Sequence, residues 1–266
     1  MQDISRDLLA EYRDLAELCE TLTPAQWLRR SAFYDWTPWD EIAHLCYFDE
    51  AGLQSAIDPE GFVRDTAALN RRMARGEQLS AVARERYGSL DGPALLARWQ
   101  QTYEGLVNAL AQLEPKARLA WYGPPMSARS FATARLMETW AHGQDVWDLV
   151  SRRRPQTSRL RHIAHLGAGT FQWTFVNRKL AAPQIAPFIE LEAPGGDVWT
   201  WNDASGDNFV RGSAEDFCLL VTQRRHLDDT GLKYSGEIVK QWLSMAQCFA
   251  GPPADGPAAG VRRIVN

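Results

Sequence analysis

The sequence predicts an α+β protein, with a four-helix bundle over residues 1–155, a small α+β domain over residues 156–252 and a loose tail over residues 253–266. Two observations support this prediction. Before Pro155, four long segments repeat apolar residues at helical spacing, whereas short segments after it alternate between apolar and polar residues as strands do. The tail is rich in Pro, Gly and Ala, a composition that rarely forms packed elements.

The long helices of the bundle are predicted from their apolar stripes and from their start signals. The hydroxyl groups of Thr37 and Ser127 can cap the second and fourth helices, and Pro38 suits a first helical turn. The residues 58–61, Asp-Pro-Glu-Gly, should stop the second helix. The four helices are therefore expected over about residues 3–22, 38–57, 91–113 and 127–154. Between them, residues 62–90 should hold one helix or two short ones, and residues 120–126 should form an extended loop.

The second domain is predicted from three short alternating segments and the helices around them. Residues 188–193 and 198–201 alternate in the manner of two strands joined by a turn, and residues 208–212 resemble a third strand. Ser213, with Asp216 three residues later, should cap a helix that follows the third strand. Two more helices are expected over residues 158–179 and 237–249.

The composition excludes several classes of partner. The chain carries a net charge of −4, so no basic surface and no nucleic-acid partner are expected. The four cysteines form no Cys-x-x-Cys pair, which is typical of reduced thiols in a cytoplasmic protein. The first residues lack a signal-peptide pattern, and no apolar run approaches the roughly 18 residues of a membrane span. We expect a small-molecule substrate, and a homodimer remains open.

Glu138 and His142 are the strongest candidates for chemistry. They lie four residues apart in the fourth predicted helix, so both side chains stand on one face. His44, in the second helix, would give a third ligand if the two helices pack side by side. Three protein ligands leave one position of a metal open, as catalysis requires. An ordinary surface pair is the alternative, but the apolar and aromatic neighbours favour a metal site.

Other polar and aromatic residues allow both a structural and a functional interpretation. Asp145 lies one turn after His142 and could orient that ligand, or it could be an ordinary solvated carboxylate. His162 and His165 could chelate an ion, although solvated or capping roles are favoured. Many of the eleven tryptophans flank the predicted ligands, either as core side chains or as the wall of an apolar pocket.

Three motifs carry a resemblance to a known family. Residues 35–45 read Asp-Trp-Thr-Pro-Trp-Asp-Glu-Ile-Ala-His-Leu, residues 138–146 read Glu-Thr-Trp-Ala-His-Gly-Gln-Asp-Val, and residues 210–224 read Val-Arg-Gly-Ser-Ala-Glu-Asp-Phe-Cys-Leu-Leu-Val-Thr-Gln-Arg. The residues within these motifs, and the order of the motifs along the chain, resemble those of the mycothiol-dependent maleylpyruvate isomerase family. This family is part of the DinB-like group of metal-binding four-helix bundles. The resemblance covers most of the chain and implies a DinB-like bundle at its N-terminus.

The resemblance also implies a chemistry. It implies a divalent metal, usually Zn²⁺, held by His44, Glu138 and His142, and mycothiol or a similar thiol bound through its sulfur. It further implies that Arg224 pairs with a substrate carboxylate. Arg225 is adjacent and could take this role instead. The structural alternative is that both arginines are ordinary basic residues at a helix end. Gln223 departs from the family, because relatives often have glycine before the arginine.

Three functions are compatible with the sequence. The first is a metal-dependent enzyme that uses a low-molecular-weight thiol for isomerisation or S-transfer on an electrophilic small molecule. The second is a hydrolase or lyase that uses metal-bound water, which needs a nearby acid or base such as Asp49 or Asp145. The third is a non-catalytic protein that binds a metal or small ligand. An enzyme predicts an open metal position near Trp36, Trp39 or Trp140, whereas a binding protein predicts a fourth protein ligand.

Overall fold

The computed structural model describes residues 1–204 and 207–262, and the chain divides into two compact units, residues 1–150 and residues 151–266. The first unit is almost entirely helical, and the second combines short helices with a four-stranded sheet. The predicted α+β class is therefore confirmed. No helix within the described ranges is both long and apolar enough to cross a bilayer.

The first unit is a bundle of four long helices with three shorter helices and a two-stranded ribbon around it. Its elements are α1 Gln2–Glu20, α2 Pro24–Trp27, α3 Pro38–Ile57, α4 Pro59–Ala74, α5 Leu79–Tyr87, α6 Gly92–Ala111, β1 Arg118–Leu119, β2 Met126–Ser127 and α7 Ala128–Leu149. Helices α1 and α3 each pack against both α6 and α7, which closes the bundle. The packing of α3 on α7 is what brings the predicted metal ligands together.

The predicted start signals of the second and fourth bundle helices are confirmed. The Thr37 hydroxyl accepts a hydrogen bond from the backbone N–H of Asp40 at 3.3 Å, and the Asp40 carboxylate accepts one from the backbone N–H of Thr37 at 3.0 Å. Ser127 caps α7 by accepting from the backbone N–H of Ser130 at 3.1 Å. These caps satisfy backbone donors that the first helical turn leaves without partners.

The prediction was less accurate where one helix follows another directly. Residues 58–61 do end α3, but Asp58 also accepts a hydrogen bond from the backbone N–H of Gly61 at 3.0 Å and so starts α4 at once. The predicted loop over residues 120–126 is flanked by β1 and β2, which pair as a short antiparallel ribbon. Helix α7 ends at Leu149, before the basic run that was expected to close it.

Helix α5 packs against α3 and is attached to it by ion pairs. Arg84 of α5 lies 2.6 Å from the Asp40 carboxylate, and Arg86 pairs with Glu50. Glu50 also accepts hydrogen bonds from the Tyr87 hydroxyl at 2.9 Å and from Arg98 of α6 at 2.7 Å. A single carboxylate of α3 therefore holds both α5 and α6 in place.

The second unit is built on a mixed sheet with the strand order β4-β3-β5-β6. Its elements are α8 Leu160–Gly169, α9 Phe171–Asn177, β3 Phe188–Glu192, β4 Val198–Trp201, β5 Phe209–Ser213, α10 Ala214–Val221, β6 Lys233–Ser235 and α11 Glu237–Leu243. Strands β3 and β4 form the predicted antiparallel hairpin, whereas β5 lies parallel to β3. Ser213 caps α10 as expected, through the backbone N–H of Asp216 at 3.0 Å.

Three details of the second unit differ from the sequence-based expectation. The single helix expected over residues 158–179 is two helices that meet at Thr170. The last helix ends at Leu243 and not near residue 249. Strand β6 was not predicted, because three residues are too few to show an alternating pattern.

The chain after residue 252 forms neither helix nor strand up to Arg262, and residues 263–266 of the predicted tail lie outside the described part. Two side chains nevertheless attach this segment to the second unit. The Gln223 side chain donates to the carbonyl oxygen of Ala254 at 2.7 Å, and Arg262 donates to the backbone carbonyl oxygen of Gln223 at 3.1 Å. Composition alone gave no sign of these anchors.

Candidate metal centre

The side chains of His44, Glu138 and His142 converge where α3 packs against α7. The Glu138 carboxylate oxygen Oε2 lies 3.4 Å from His142 Nε2 and 3.7 Å from His44 Nε2. The two imidazole rings are 4.3 Å apart between centroids. One donor atom of each residue lies within 4.8 Å of the donor atoms of the other two. The α7 pair comes together through helical spacing, and His44 joins it through tertiary packing.

These distances fit a divalent ion. Ligands that hold Zn²⁺ tetrahedrally at 2.0–2.1 Å are separated from each other by about 3.3 Å. The separations of 3.4 and 3.7 Å come close to that value before any adjustment of the side chains. Two imidazole nitrogens and one carboxylate oxygen are also ligands that zinc accepts in catalytic sites. The cluster around Glu138 has three members among the described residues, which leaves a fourth position for a ligand that is not protein.

The charge state of Glu138 suits a metal ligand. Burial would raise the pKa of its carboxyl group, but the interactions with His142 and His44 outweigh that effect and hold the pKa well below its usual range. Glu138 is therefore a carboxylate at neutral pH. Its side chain is 25% exposed, compared with 7% for His142, so the cluster is accessible from the Glu138 side.

Glu41 is the important residue that sequence reasoning missed. Its carboxylate oxygen Oε2 lies 2.6 Å from His142 Nδ1, and the residue is 1% exposed. Donor atoms of Glu41, His142 and Asp145 also lie within 4.8 Å of one another. Glu41 contacts Nδ1 of His142, whereas Glu138 faces Nε2. Its place in the first turn of α3 suggests by itself only a favourable interaction with the helix dipole. The useful signal was its position three residues before His44, which puts both on one face of α3.

Aromatic rings cover the two imidazoles. Trp36, in the loop before α3, stacks on His142 with centroids 5.8 Å apart and lies 5.4 Å from His44. Phe33 contacts the His142 ring edge-on at 5.5 Å. Of the three tryptophans predicted near the site, Trp36 thus lies against the ligands, whereas Trp39 is buried and donates to the carbonyl oxygen of Leu90 at 3.0 Å. Trp140 is also buried.

The turn that presents Trp36 has an unusual backbone. Tyr34 and Asp35 adopt φ values of 48° and 58°, a left-handed backbone conformation that residues other than glycine rarely take. Asp35 is among the residues that tolerate this conformation best. The backbone N–H of Ser31 donates to the carbonyl oxygen of Trp36 at 2.7 Å, which closes the loop. In this loop conformation the Trp36 indole lies against both imidazoles.

A shallow cleft with a free volume of about 10 Å³, room for about one water molecule, lies beside His44 between α3 and α5. Trp36, Tyr47 and Ala83 form part of its apolar wall, and Asp40 and Ser80 add polar groups. Since Asp40 is paired with Arg84, the cleft wall carries a balanced ion pair. Without movement of its lining side chains, the cleft holds about one water molecule next to His44.

The other acidic and histidine candidates have different surroundings. Asp49 is 0% exposed and accepts hydrogen bonds from the Tyr12 hydroxyl at 2.6 Å, Trp99 Nε1 at 2.8 Å and Arg135 Nε at 2.7 Å. These donors make it a structural centre of the bundle. His165 accepts from Trp201 Nε1 at 3.3 Å, and no cluster of three metal-ligating side chains in the described ranges includes His162 or His165.

Arg224 and Arg225 follow α10 and are both 3% exposed. Nη1 of Arg224 donates to the carbonyl oxygen of Thr222 at 2.8 Å, and Nη1 of Arg225 donates to that of Arg224 at 2.7 Å. Both arginines lie in the second unit, and the role of Arg224 remains a prediction. Gln223 has a φ of 59°, a conformation that glycine adopts without strain.

Comparisons with known proteins agree with this architecture. Residues 8–147 match the family model described as the mycothiol maleylpyruvate isomerase N-terminal domain. Uncharacterized proteins from two strains of Mycobacterium tuberculosis, CDC 1551 / Oshkosh and ATCC 25618 / H37Rv, are each 41% identical over 256 residues, covering 94% of this chain and 96% of theirs.

Two solved structures are similar in fold. The crystal structure of the mycothiol-dependent maleylpyruvate isomerase aligns with a TM-score of 0.54 at 14% identity, covering 84% of this chain and 89% of that one. A histidine-to-alanine mutant of a mycothiol-dependent maleylpyruvate isomerase aligns with a TM-score of 0.53 at 17% identity and the same coverage. At these identities the likeness concerns the fold.

Proposed function

The chain belongs to the mycothiol maleylpyruvate isomerase family, and from that premise we propose that it is a metal-dependent enzyme using a low-molecular-weight thiol. The thiol is of the mycothiol type, and the reaction is isomerisation of, or S-transfer to, an electrophilic small molecule. The observation that carries the proposal is the spacing of His44, Glu138 and His142, whose donor atoms match the ligand separations of a zinc site.

The three side chains have separate tasks in this proposal. His44 and His142 each offer a ring nitrogen, and Glu138 offers a carboxylate oxygen whose charge persists at neutral pH. A divalent ion bound there, best matched by Zn²⁺, lowers the pKa of a thiol and so favours the nucleophilic thiolate. Trp36 and Phe33 cover the imidazoles and limit the access of water.

The surroundings of the cluster favour thiol chemistry over the two alternatives. A hydrolase needs an acid or base within hydrogen-bond reach of the bound water, but Asp49 is engaged by three donors. The carboxylate of Asp145 groups with Glu41 and not with Glu138. A non-catalytic metal protein usually closes its site with a fourth ligand, whereas the group around Glu138 contains three in the described part of the chain.

Metal content tests the proposal first. Purified wild-type protein should carry close to one zinc per chain by mass spectrometry, and His44→Ala and His142→Ala should lose most of it. His165→Ala is the matched control, because it removes an imidazole of the second unit and should keep the metal. Equal zinc content in all four proteins would contradict the proposed site.

The dependence of turnover on a thiol distinguishes thiol chemistry from chemistry with metal-bound water. We expect turnover of an electrophilic substrate such as maleylpyruvate only when mycothiol or a close analogue is present. Turnover that is indifferent to the thiol would instead indicate chemistry with metal-bound water. The cytoplasmic location and the homodimer remain predictions, which fractionation and sedimentation would address.

Arg224 and Arg225 are distinguished by paired substitutions. If Arg224 binds a substrate carboxylate, Arg224→Lys should raise KM several-fold with unchanged zinc content, because lysine loses the bidentate geometry of the guanidinium group. Arg225→Lys should leave KM unchanged. The opposite result would assign the carboxylate to Arg225, and two unchanged values would leave both arginines with the structural role of a basic helix end.

A further inference from the structure

We propose that Glu41 is a positioning residue that orients His142 for metal binding. The inference rests on the proposed function, since it concerns how the metal ligand is held. It starts from the contact of 2.6 Å between Glu41 Oε2 and His142 Nδ1, which is among the shortest buried contacts of the bundle. The two residues are 101 positions apart, so this contact links α3 directly to α7.

The contact determines which ring nitrogen can bind the metal. A carboxylate accepts a hydrogen bond, so its presence beside Nδ1 favours the form of His142 that carries the proton on Nδ1. In the neutral ring this leaves the lone pair on Nε2, which faces Glu138 at 3.4 Å. The carboxylate also fixes the rotation of the ring and raises the basicity of Nε2. The orientation of one proposed ligand would therefore be set by a residue outside the proposed ligand set.

A purely structural role for Glu41 explains less. Acidic residues in the first turn of a helix interact favourably with the helix dipole. That role does not require burial, however, and Thr37 and Asp40 already cap α3. At 1% exposure Glu41 is a carboxylate removed from water, which is costly unless specific partners stabilise it. The imidazole N–H of His142 is such a partner.

Zinc affinity of purified protein, measured by competition with a chromophoric chelator, tests the proposal. Glu41→Gln keeps the size of the side chain but replaces a charged acceptor with a neutral amide, and it should weaken zinc binding about 10- to 100-fold. Glu41→Ala should weaken it at least as much. The absorption spectrum of the Co²⁺-loaded protein should also change in Glu41→Gln, because the His142 ligand is no longer held in the same orientation.

Glu50→Gln is the matched control. Glu50 lies on the same helix and is also mostly buried, but its partners are Arg98, Arg86 and Tyr87. Its replacement should lower the free energy of unfolding without changing zinc affinity or the Co²⁺ spectrum. If the wild type binds no zinc, the proposed function fails. If the wild type binds zinc and Glu41→Gln binds it equally well with an unchanged spectrum, the inference about Glu41 alone is overturned.

Discussion

Two clusters of buried polar side chains lie between α3 and α7 of the bundle. They differ in whether the chain itself supplies the partners that their polar groups require. One is centred on Asp49, whose carboxylate receives three hydrogen bonds and faces the guanidinium group of Arg135 at 2.7 Å. The other is centred on His142, with carboxylates of Glu41 and Glu138 on opposite sides of its ring.

The difference lies in the chemistry of the donors. In the Asp49 cluster, a cation from α7 and N–H and O–H groups from α1 and α6 supply what one carboxylate requires. The His142 cluster collects three carboxylates and two imidazoles, which are electron-pair donors suited to a cation. The first cluster is therefore complete within the chain, whereas the second has the donor groups that a bound cation would require. Substitutions in the two clusters should consequently affect different measurements.

The largest effect is expected from Asp49→Ala. It would leave Arg135, which is 3% exposed, without its carboxylate, and removing one partner of a buried ion pair costs about 3–5 kcal/mol. Urea unfolding followed by circular dichroism would measure this loss. Asp49→Asn keeps a hydrogen-bond acceptor for Tyr12 or Trp99, so its free energy of unfolding should fall by less. A loss below about 1 kcal/mol in Asp49→Ala would show that the two clusters do not differ as argued.

Zinc should stabilise the protein through the second cluster only. At a free zinc concentration one hundred times the dissociation constant, binding to the native state adds about 2.7 kcal/mol to the free energy of unfolding. Thermal unfolding with and without zinc should show this gain in the wild type and in Arg129→Gln, whose substitution lies at the start of α7 and far along the helix from His142. The stabilisation by zinc should be absent in His142→Ala. A gain of the same size in His142→Ala would place the ion elsewhere.

The sequence predicted the second cluster better than the first, for a physical reason. Glu138 and His142 lie on adjacent turns of one helix, so their proximity follows from helical geometry alone. His44 needed one further assumption, that α3 packs on α7. The partners of Asp49 come from three other helices, and no spacing in the sequence relates Tyr12, Trp99 and Arg135 to it.

The features that the sequence did not predict also have physical explanations. Glu41 reaches His142 across 101 residues, so its role depends on the relative position of two helices that only the folded chain determines. The break at Thr170 and the three residues of β6 are local, but they are too short to interrupt or create a visible periodicity. Caps were predicted well, as Thr37, Ser127 and Ser213 show, because a cap involves residues only three positions apart.

Asp145 tests how far the second cluster extends. It lies one turn after His142, is 3% exposed and groups with Glu41, although the contact of 2.6 Å with Nδ1 belongs to Glu41. Asp145→Asn should therefore weaken zinc binding less than Glu41→Gln, by no more than about tenfold. Chelator competition on the two variants side by side measures the ranking. The reverse order would make Asp145 the residue that orients His142.

The smallest effect is expected from an exposed counterpart of the Asp49–Arg135 pair. Asp3 of α1 receives two hydrogen bonds from Arg129 of α7, at 2.8 and 3.2 Å, and its side chain is 54% exposed. The hydrogen bond from Arg129 holds the pKa of the Asp3 carboxyl group well below its usual value of 3.8. Solvent screening limits such a pair to at most about 1 kcal/mol.

The sign of its pH dependence follows from the lowered pKa. Because the unfolded chain takes up a proton at Asp3 near pH 3.8 and the folded chain only at lower pH, the stabilisation is present above that value and is lost as the pH falls below it. Asp3→Asn should therefore lower the free energy of unfolding slightly at pH 7 and by a smaller amount near pH 2, in urea titrations at both values. The same substitution in 1 M salt should cost less, since the Debye length is then about 3 Å. A loss comparable to that of Asp49→Ala would show that burial is not what separates the strong ion pair of this bundle from the weak one.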